Sequence, residues 1–420
     1  MAESKRAKAT DNKTELLIIG SGMATAKLLE YLFSEPHNFQ VRVIGNEPSP
    51  SYNRILLSSL LAREKTSEDL PLLSHGWYSK HGVDLIANDA VIDVDTQTRR
   101  VTTESGSRYS YDKLVFATGS RAHIPKINGT KLQNVMGFRN QSDVAKMTEL
   151  VANSQEQNQA FNVVVIGGGL LGLEAAHGLN LLGANVRVVH RREWLMNRQL
   201  DKPAGQILQA QLETRGICFS MGRSPKNIQG VDSVNAIELD DGSTHPADLV
   251  LFAAGIDPNK ELAASAGIPT ERAIIADAQL RTAAPGVFAF GECAQIEGQT
   301  FGLVAPIWDQ AQVLASVLTG GYAQYHYRTS PTQLKVSGID LYSAGEISAN
   351  EQDENLVTSW PERGIYRRLI ISENYLKGAI LLGNREGGSW YGELIQQRAD
   401  IDSMRAGLIF GREHAESACS

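Results

Sequence analysis

Cysteine is scarce in this 420-residue sequence, and its three copies, Cys218, Cys293 and Cys419, lie far apart. No two of them have the close spacing of a redox-active dithiol, and an odd number does not suit a disulfide framework. Zinc sites built on cysteine also need several such residues near one another. The scarcity therefore excludes a dithiol relay and a disulfide scaffold. We expect no bound metal and a reducing compartment.

Long apolar runs and an excess of positive charge are missing as well. No run approaches the ~20 residues that span a bilayer, so we expect no membrane partner. The first 14 residues contain no apolar segment of a signal peptide and are predicted to be a disordered tail, which indicates a cytoplasmic protein. Lys and Arg number 40 against 47 Asp and Glu, a net charge of −7. That balance argues against nucleic acid as a partner.

Glycine, by contrast, is abundant, with 38 copies. The first notable cluster is Gly20-Ser21-Gly22, which separates a predicted apolar strand at 16–19 from a predicted helix at 24–32. Glycines let the backbone approach a diphosphate closely, and the start of a helix presents free N–H groups to it. The pattern predicts a dinucleotide site, and its alternative is a plain tight turn between strand and helix.

Two further positions bear on this first turn. Thr25 stands where the third glycine of such motifs usually lets helix and strand pack closely. Glu47 follows the next predicted strand, at 41–44, where a carboxylate accepts hydrogen bonds from ribose hydroxyls. Glu47 therefore favours the dinucleotide interpretation, although a surface glutamate is the alternative.

The same strand, glycine turn, helix and strand recur in the middle of the chain. Here the motif Gly167-x-Gly169-x-x-Gly172 is complete and follows an apolar strand at 163–166. One copy of the turn begins at Gly20 and the other at Gly167. This distance along the chain is too long for a solenoid repeat, so it indicates a duplication of whole domains. Two motifs in one chain predict two bound dinucleotides.

The second copy differs at the end of its second strand, at 186–189. His190, Arg191 and Arg192 follow that strand, with no carboxylate among them. A carboxylate would repel a 2′-phosphate, whereas guanidinium groups bind one through charge-assisted hydrogen bonds. The residues favour NADPH over NADH, and the alternative is that both arginines are solvated loop charges.

The remaining chain completes the fold prediction. The length predicts about three domains. We expect an α/β fold with two Rossmann-like, three-layer ββα dinucleotide-binding domains and a small α+β C-terminal domain. The other predicted elements are a β-meander at 91–95, 100–103 and 114–117, a linker or helix end at 151–160, C-terminal strands at 334–336, 366–371 and 378–383, and a helix at 392–405.

Several motifs, taken in order, resemble a known family. Ala117-Thr118-Gly119 ends a strand where two nucleotide domains would cross over. Over residues 15–320 the chain resembles the pyridine nucleotide–disulfide oxidoreductase superfamily. Within it, 52–58, 291–294 and 302–308 resemble the FAD-binding part of assimilatory NAD(P)H nitrite reductase large subunits and the electron-transfer subunits of assimilatory nitrate reductases. Rubredoxin and ferredoxin reductases are close relatives.

The resemblance implies two sets of cofactor residues. FAD would bind at Gly20, Gly22, Glu47, Arg54, Thr118, Gly119, Arg121 and Glu292. The nicotinamide cofactor would bind at Gly167, Gly169, Gly172, Glu174, His190, Arg191 and Arg192. Further cofactor-binding residues expected beside these are Ser21, Met23, Ala24, Asn53, Ala117, Leu170, Ala254, Gly255, Gly291 and Trp308.

The resemblance also implies domain boundaries. The FAD-binding domain would be discontinuous, the NAD(P)H-binding domain would lie between its parts, and the C-terminal domain would provide either a dimerisation surface or the face that docks the acceptor. The predicted ranges are 1–14 for the tail, 15–125 with 285–328 for FAD, 126–284 for NAD(P)H and 329–420 for the C-terminal domain.

Individual residues in this region keep alternatives. Glu292 would accept a hydrogen bond from a ribityl hydroxyl of FAD, or it is a surface acid. Trp308 would approach the flavin ring, or it packs in the core. Cys293 has no partner nearby in sequence and is expected to be a small buried residue.

The chain also departs from its relatives. Ser59 stands where rubredoxin-reductase relatives usually carry lysine, and Glu292 stands where aspartate is commoner. Both departures favour the nitrite-reductase branch. The cysteine motifs for the iron–sulfur and siroheme centres of that branch are absent from this sequence, so we do not expect it to reduce nitrite by itself.

The predicted function is an FAD-dependent NAD(P)H oxidoreductase, in which the resemblance implies hydride transfer from NAD(P)H to FAD. No catalytic side chain is needed, because the flavin carries the chemistry. The electrons would pass to a protein redox acceptor, a nitrate or nitrite reductase component. The alternatives are a rubredoxin or ferredoxin reductase and a flavin-binding redox sensor without turnover. A homodimer is compatible with any of these.

Overall fold

A computed structural model describes residues 13–327 and 332–417. Most of the predicted N-terminal tail, up to residue 12, and Cys419 lie outside the described residues. Within the described ranges, no helix combines the length and apolar character needed to cross a membrane.

Short strands and helices follow one another along the described chain. The strands are β1 (Thr14–Ile19), β2 (Phe39–Ile44), β3 (Asp84–Ile86), β4 (Val91–Asp95), β5 (Arg100–Thr103), β6 (Arg108–Ser110), β7 (Lys113–Phe116), β8 (Ser120–Ala122), β9 (Val135–Gly137), β10 (Asn162–Ile166), β11 (Asn185–His190), β12 (Cys218–Met221), β13 (Pro225–Gly230), β14 (Val234–Leu239), β15 (Thr244–Pro246), β16 (Leu249–Phe252), β17 (Ile256–Pro258), β18 (Ile274–Ala276), β19 (Val287–Ala289), β20 (Ala294–Ile296), β21 (Gln299–Thr300), β22 (Thr332–Val336), β23 (Ile339–Gly345), β24 (Glu354–Trp360), β25 (Ile365–Ser372) and β26 (Tyr375–Leu382). The helices are α1 (Met23–Phe33), α2 (Leu57–Leu61), α3 (His75–His81), α4 (Gln141–Glu156), α5 (Leu170–Leu181), α6 (Lys202–Glu213), α7 (Glu261–Ser265), α8 (Val304–Leu318), α9 (Gly388–Gln397) and α10 (Arg412–Ser417).

The chain divides into two compact units. The described residues of Met1–Arg54, Ser67–Arg121 and Asp257–Arg328 form the first unit. Those of Ile55–Thr66, Ala122–Ile256 and Thr329–Ser420 form the second unit. Compared with the predicted boundaries, residues 257–284 group with the first glycine motif, and residues 55–66 and 122–125 group with the second. The C-terminal region groups with the second unit.

Hydrogen bonds inside each unit account for this grouping. In the first unit, the Thr118 hydroxyl donates to the Asn259 carbonyl at 2.8 Å, and the Asn259 amide donates back to the Thr118 carbonyl at 2.8 Å. In the second unit, Asp201 accepts from the Tyr366 hydroxyl at 2.7 Å and from the Arg368 guanidinium at 2.8 Å. These contacts join segments 141 or more residues apart in the chain, which no local pattern could predict.

The first unit is built on a parallel sheet with the strand order β19-β7-β1-β2-β3. Its central strands are apolar and buried, as parallel strands with both faces covered must be. The residues of 16–19, Leu28 and Leu29 of α1 and Leu314 of α8 belong to one core. The predicted strand at 16–19, helix at 24–32 and strand at 41–44 are confirmed as β1, α1 and β2.

The predicted β-meander is only partly correct. Strands β4, β5 and β6 form an antiparallel sheet. The predicted third strand, 114–117, is instead β7, which pairs in parallel with β1 and β19. Leu114, Val115 and Phe116 are each fully buried. A strand buried on both faces belongs in a covered parallel sheet and not at the edge of a small meander.

The second unit repeats the plan with the strand order β12-β11-β10-β16-β9. Helix α5 packs along β10 and β11. Val164 and Ile166, alternate residues of β10, share a core with Ile228 and Ile237 of a β13-β14-β15 sheet. Sheet, sheet and helix make the predicted three-layer ββα arrangement. The polar stretch at 151–160 is a helix end, since α4 begins with a capping box of Asn140 and Asp143 and runs through Glu156.

The C-terminal region of the second unit has a five-stranded sheet in the order β22-β23-β26-β25-β24, antiparallel throughout. Helix α9 covers it, with Tyr391 and Leu394 in one core with Leu369 and Leu381. The predicted helix at 392–405 was displaced: α9 begins at Gly388, and it ends at Gln397 because Arg398 adopts a left-handed φ of 47°. The predicted α/β class with a small α+β region is confirmed.

Candidate functional site

Both glycine turns force glycine at their first position. Gly20 has a φ of +108°, and a Cβ there would lie 2.2 Å from the Ala117 carbonyl oxygen. Gly167 has a φ of +128°, and its Cβ would lie 2.4 Å from the Ala253 carbonyl oxygen. Each turn therefore passes directly over the neighbouring strand of its own sheet, and no other residue fits.

The second glycine of each turn faces open space. Gly22 and Gly169 are the N-cap residues of α1 and α5, with extended backbones and no side chain capping the helix. A Cβ on either would meet no atom within 4 Å. Uncapped N–H groups that point into open space form a cradle for a phosphate. The residues present therefore fit the diphosphate of a dinucleotide in both units.

The third position explains the threonine of the first turn. Thr25 is fully buried, and its hydroxyl donates to the Gly20 carbonyl at 2.6 Å. At Gly172, a Cβ would lie only 2.0 Å from the Gly167 carbonyl oxygen. The first turn has room for a side chain that bonds to its carbonyl, and the second has none. The departure from the glycine motif is therefore accommodated without opening the turn.

The predicted carboxylate of the first unit is held in place by its neighbours. Glu47 accepts a hydrogen bond from the Tyr52 hydroxyl at 2.6 Å and forms an ion pair with the Arg54 guanidinium. The Arg54 backbone N–H lies 3.4 Å from the Met23 sulfur, at the start of α1. Glu47, Asn53, Arg54 and Met23 thus lie beside the glycine turn. Tyr52 belongs to the 52–58 segment that resembles an FAD-binding part, but it was not among the predicted cofactor-binding residues.

A second carboxylate of the first unit has a partner that the sequence did not indicate. Glu292 accepts a hydrogen bond from the Ser120 hydroxyl at 2.6 Å. Ser120 is almost fully buried and directly follows Ala117-Thr118-Gly119. Gly291, next to Glu292, donates its N–H to the side chain of the fully buried Gln310 at 2.8 Å. The structure therefore joins the Thr118–Gly119 and Gly291–Glu292 motifs.

Other predicted residues of the first unit take different positions. Arg121 pairs with Glu261 at 2.7 Å, an exposed ion pair. The side-chain hydrogen bond between them raises the pKa of Arg121 and lowers that of Glu261. Trp308 is 40% exposed, so it is not a core residue, and Lys27 lies over its ring at 5.3 Å. Cys293 is fully buried, as expected.

The strand register of the second unit shows which residue corresponds to Glu47. Gly20 donates its N–H to Ile44 at 2.8 Å, and Gly167 donates its N–H to Val189 at 2.9 Å. Ile44 and Val189 are therefore equivalent. Three residues further on lie Glu47 in the first unit and Arg192 in the second. Arg192 is exposed, so a cation stands where the first unit has its carboxylate.

The neighbouring histidine has a different place from the arginines. His190 is half-buried, and its Nδ1 lies 3.1 Å from the backbone nitrogen of Gly168, from which it accepts a hydrogen bond. Its Nε2 lies 3.2 Å from the Asn197 side-chain oxygen. Arg191 is exposed. His190 therefore faces the turn, and the two arginines face solvent.

Glu174 lies one turn into α5, on the same helix as Leu170 and Gly172. It is half-buried, and α5 packs against α2, which carries Ser58. Burial raises the pKa of Glu174 to about 7, and a hydrogen bond with Ser58 opposes this rise. Gly255, next to Ala254 at the end of β16, accepts a hydrogen bond from the His123 N–H at 3.0 Å.

Comparison with known proteins agrees with this architecture. Residues 14–315 match the family described as pyridine nucleotide-disulphide oxidoreductase, and residues 331–399 match the rubredoxin NAD+ reductase C-terminal domain. A ferredoxin reductase from Rhodopseudomonas palustris shares the fold, with a TM-score of 0.81 at 24% identity, covering 97% of this chain and 98% of that one.

Two curated relatives come from Bacillus subtilis. A nitrite reductase [NAD(P)H] is 40% identical over 93% of this chain and 48% of its own length. An assimilatory nitrate reductase electron transfer subunit is 39% identical over 94% of this chain and 51% of its own length. The chain spans about half the length of these relatives. With the family match extending over most of the sequence and the matching fold, the chain belongs to the pyridine nucleotide-disulphide oxidoreductase family.

Proposed function

We propose that this chain is an FAD-dependent NAD(P)H oxidoreductase that passes electrons to a separate protein acceptor. The observation that carries the proposal is the pair of uncapped helix starts beneath the two glycine turns, each with open space at its second glycine. One chain with two such cradles suits two dinucleotides. Family membership supports the same function.

We propose that FAD binds in the first unit. When bound, it would take up two electrons from NAD(P)H and release them to the acceptor. The turn at Gly20 and Gly22 would hold the diphosphate, and Glu47, fixed by Tyr52 and Arg54, would accept from the ribose. Glu292, oriented by Ser120, would accept from the ribityl chain.

The side chains of this chain would position the cofactors, and none of them needs to act as a nucleophile. Buried Thr25 and Gln310 hold the backbone of the Gly20 and Gly291 turns. Exposed Trp308 is available to a ligand or a partner in a way that a core residue is not.

We propose NADPH as the preferred electron donor. Arg192 stands at the position equivalent to Glu47, and Arg191 beside it is also exposed. Two exposed guanidinium groups at this place suit a 2′-phosphate, and neither offers an acceptor for a ribose hydroxyl.

The acceptor that we propose is a component of an assimilatory nitrate or nitrite reductase. Both Bacillus relatives carry such names and are about twice as long as the matched region. A second candidate, a rubredoxin or ferredoxin reductase, is favoured by the match of residues 331–399 to the rubredoxin NAD+ reductase C-terminal domain.

We also propose a cytoplasmic location and a C-terminal region that either dimerises or docks the acceptor. Two exposed hydrophobic residues of the edge strand β24, Val357 and Trp360, support a contact role for that region.

The experiment that tests the function follows the flavin absorption of the purified, FAD-loaded chain under anaerobic NADPH and, separately, NADH. Rapid bleaching with NADPH and slow bleaching with NADH is expected. The purified nitrate or nitrite reductase component and rubredoxin are then added separately to the reduced protein. Only the true acceptor should reoxidise the flavin and restore its absorption. A chain that binds FAD but is bleached by neither donor is a sensor and not a reductase.

A further inference from the structure

His190 makes a contact with the second glycine turn that a nucleotide-binding role does not explain. Its Nδ1 accepts the N–H of Gly168, the middle residue of the turn, at 3.1 Å. The Gly168 carbonyl is held from the other side by the Met196 N–H at 2.9 Å. The backbone N–H and carbonyl of Gly168 are thus fixed by the last residue of β11 and by the segment that follows β11.

The fit of the ring against the turn is also steric. A Cβ on Gly168 would lie 2.8 Å from Cγ of His190, so the ring packs directly on the glycine. In the first unit, the position equivalent to His190 is Gly45, where a Cβ would lie 2.2 Å from the Ser21 hydroxyl oxygen. Each unit places one side chain in this gap, and only the second unit uses an ionisable one.

The hydrogen bonds require one protonation state. A backbone N–H can only donate, so Nδ1 must be unprotonated to accept from Gly168. The proton of the neutral ring then lies on Nε2, which donates to the Asn197 side-chain oxygen at 3.2 Å. A protonated ring would place an N–H against the Gly168 N–H, and the two donors would separate.

We propose that His190 is a positioning residue for the pyridine nucleotide: its neutral ring holds the Gly168 peptide in the binding conformation, and protonation releases the turn and weakens binding. This inference rests on the proposed NAD(P)H-binding function of the second unit. It makes the second turn, and not the first, sensitive to acid.

The charged and titratable surroundings favour the neutral ring. Burial lowers the pKa of His190 from its ordinary value of 6.5, and the neighbouring Arg191 and Arg192 lower it further, whereas hydrogen bonds with the Asn197 side chain and the Trp194 backbone oppose this. From the β12–β13 connection, Arg223 donates its backbone N–H to the His190 carbonyl, while its guanidinium pairs with Asp241 at 2.7 Å. The ring is therefore neutral at pH 7 and titrates only in more acidic solution.

His190→Asn separates positioning from mere packing. The asparagine side-chain oxygen can take the place of Nδ1 as acceptor but does not titrate between pH 5 and 8. His190→Phe keeps a ring of similar size and offers no acceptor. His190 belongs to the second unit and the proposed FAD turn at Gly20 to the first unit, so the flavin content of both variants reports an intact first unit.

The experiment measures the dissociation constants of NADP+ and NAD+ by calorimetry on the FAD-loaded full chain, from pH 7.5 downward to the lowest pH at which the chain keeps its FAD. The oxidised nucleotides do not reduce the flavin. The 2′-phosphate of NADP+ itself titrates near pH ~6, so NAD+ and the Asn variant serve as controls for that effect. In the wild type, binding should weaken toward tenfold per pH unit below the pKa of the ring.

Three results support the proposal together. His190→Asn should bind NAD+ more tightly than His190→Phe at pH 7.5, and it should lose the acid-dependent weakening of NAD+ binding that the wild type shows. His190→Phe should bind both nucleotides about 3- to 10-fold more weakly than the wild type at pH 7.5, as expected for one lost hydrogen bond, and this deficit should shrink in acid, where the wild type loses the same bond. All variants should retain FAD.

Identical pH profiles for the wild type and His190→Asn would overturn the role of His190 while leaving the proposed function intact. Wild-type protein that retains FAD, binds neither nucleotide at pH 7.5 and is bleached by neither NADPH nor NADH would overturn both. The two failures are therefore distinguishable.

Discussion

The first and second glycine turns follow the same backbone path, but the gap beside each turn is filled differently. In the first unit the filling side chain comes from the turn itself, and in the second unit it comes from the neighbouring strand. In both units the first glycine passes within 2.4 Å, measured from its would-be Cβ, of a neighbouring carbonyl, and the second glycine faces open space. The gap beside the turn is filled by Ser21 against Gly45 in one unit and by His190 against Gly168 in the other. The two turns therefore have the same backbone path, but different side chains pack against them.

The charged positions of the two units are reversed as well. Glu47 corresponds to Arg192, and two residues beyond the third motif position Lys27 on α1 corresponds to Glu174 on α5. Lys27 pairs with Glu30 at 2.8 Å near the surface, whereas Glu174 is half-buried beside Ser58. Equal backbones with opposite charges suit the two different ligands proposed for the two units, FAD and NADPH, better than two copies of one site.

Among the substitutions that test this comparison, we expect the largest effect at Gly167. In Gly167→Ala, the methyl group meets the Ala253 carbonyl oxygen at 2.4 Å in a left-handed conformation. We expect a loss of at least about 2 kcal/mol in stability and no measurable NAD(P)H binding, with FAD retained. Thermal unfolding and nucleotide titration check this. Gly169→Ala is the matched control: its methyl group meets no protein atom, so it should weaken binding without lowering the melting temperature.

Arg192→Glu gives the second unit the charge that the first unit has at the equivalent position. It places a carboxylate where Glu47 stands, which should repel a 2′-phosphate and accept from a ribose hydroxyl. Losing one charge-assisted bond corresponds to roughly 1.5–3 kcal/mol, or about 10- to 150-fold in kcat/KM for NADPH, while NADH is used as well or better. Stopped-flow reduction with both donors measures this. Arg198→Glu, the same charge change on the same loop, should leave the ratio unchanged, and equal shifts in both variants would contradict the assignment.

The duplication itself could be predicted from the sequence because it is local. A short apolar strand, a glycine turn and a helix follow one another within a few residues, and β1, α1, β10 and α5 appear where the pattern placed them. Strand β7 was assigned to the wrong sheet because its partners β1 and β19 are distant in sequence. Periodicity describes a strand and says nothing about its neighbours.

The partners of the site residues were hidden for the same reason. Ser120 and Glu292 are 172 residues apart, and Thr118 and Asn259 are 141 apart. Arg192 was recognised as a cation after a strand, but only the hydrogen-bond register identified it as the counterpart of Glu47. Motifs find the residues that touch a common ligand, and the tertiary fold decides which side chains orient them.

Glu174 sharpens the contrast through pH. Its pKa is raised to about 7, so the folded chain holds this proton more tightly than the unfolded chain. The stability that the protonated form provides is present below about pH 4.5 and is lost as the pH rises through about 7. Glu174→Gln should remove this loss, a gain of up to about 3 kcal/mol at pH 8 and little at pH 4.5. Urea unfolding across this range measures it. The exposed Glu149→Gln is the control, and a gain independent of pH would contradict the argument.

Thr25 provides the smallest test. Thr25→Val keeps the shape of the side chain but removes the hydroxyl that donates to Gly20 at 2.6 Å. The partly buried Gly20 carbonyl then loses this partner, at a cost of about 1 kcal/mol. Thr25→Ser keeps the hydroxyl and loses only a methyl group, so it should retain FAD more firmly than the valine variant in a flavin-release assay. If the two variants release FAD equally, the hydroxyl does not hold the first turn, and Thr25 merely fills the space that Gly172 must leave empty.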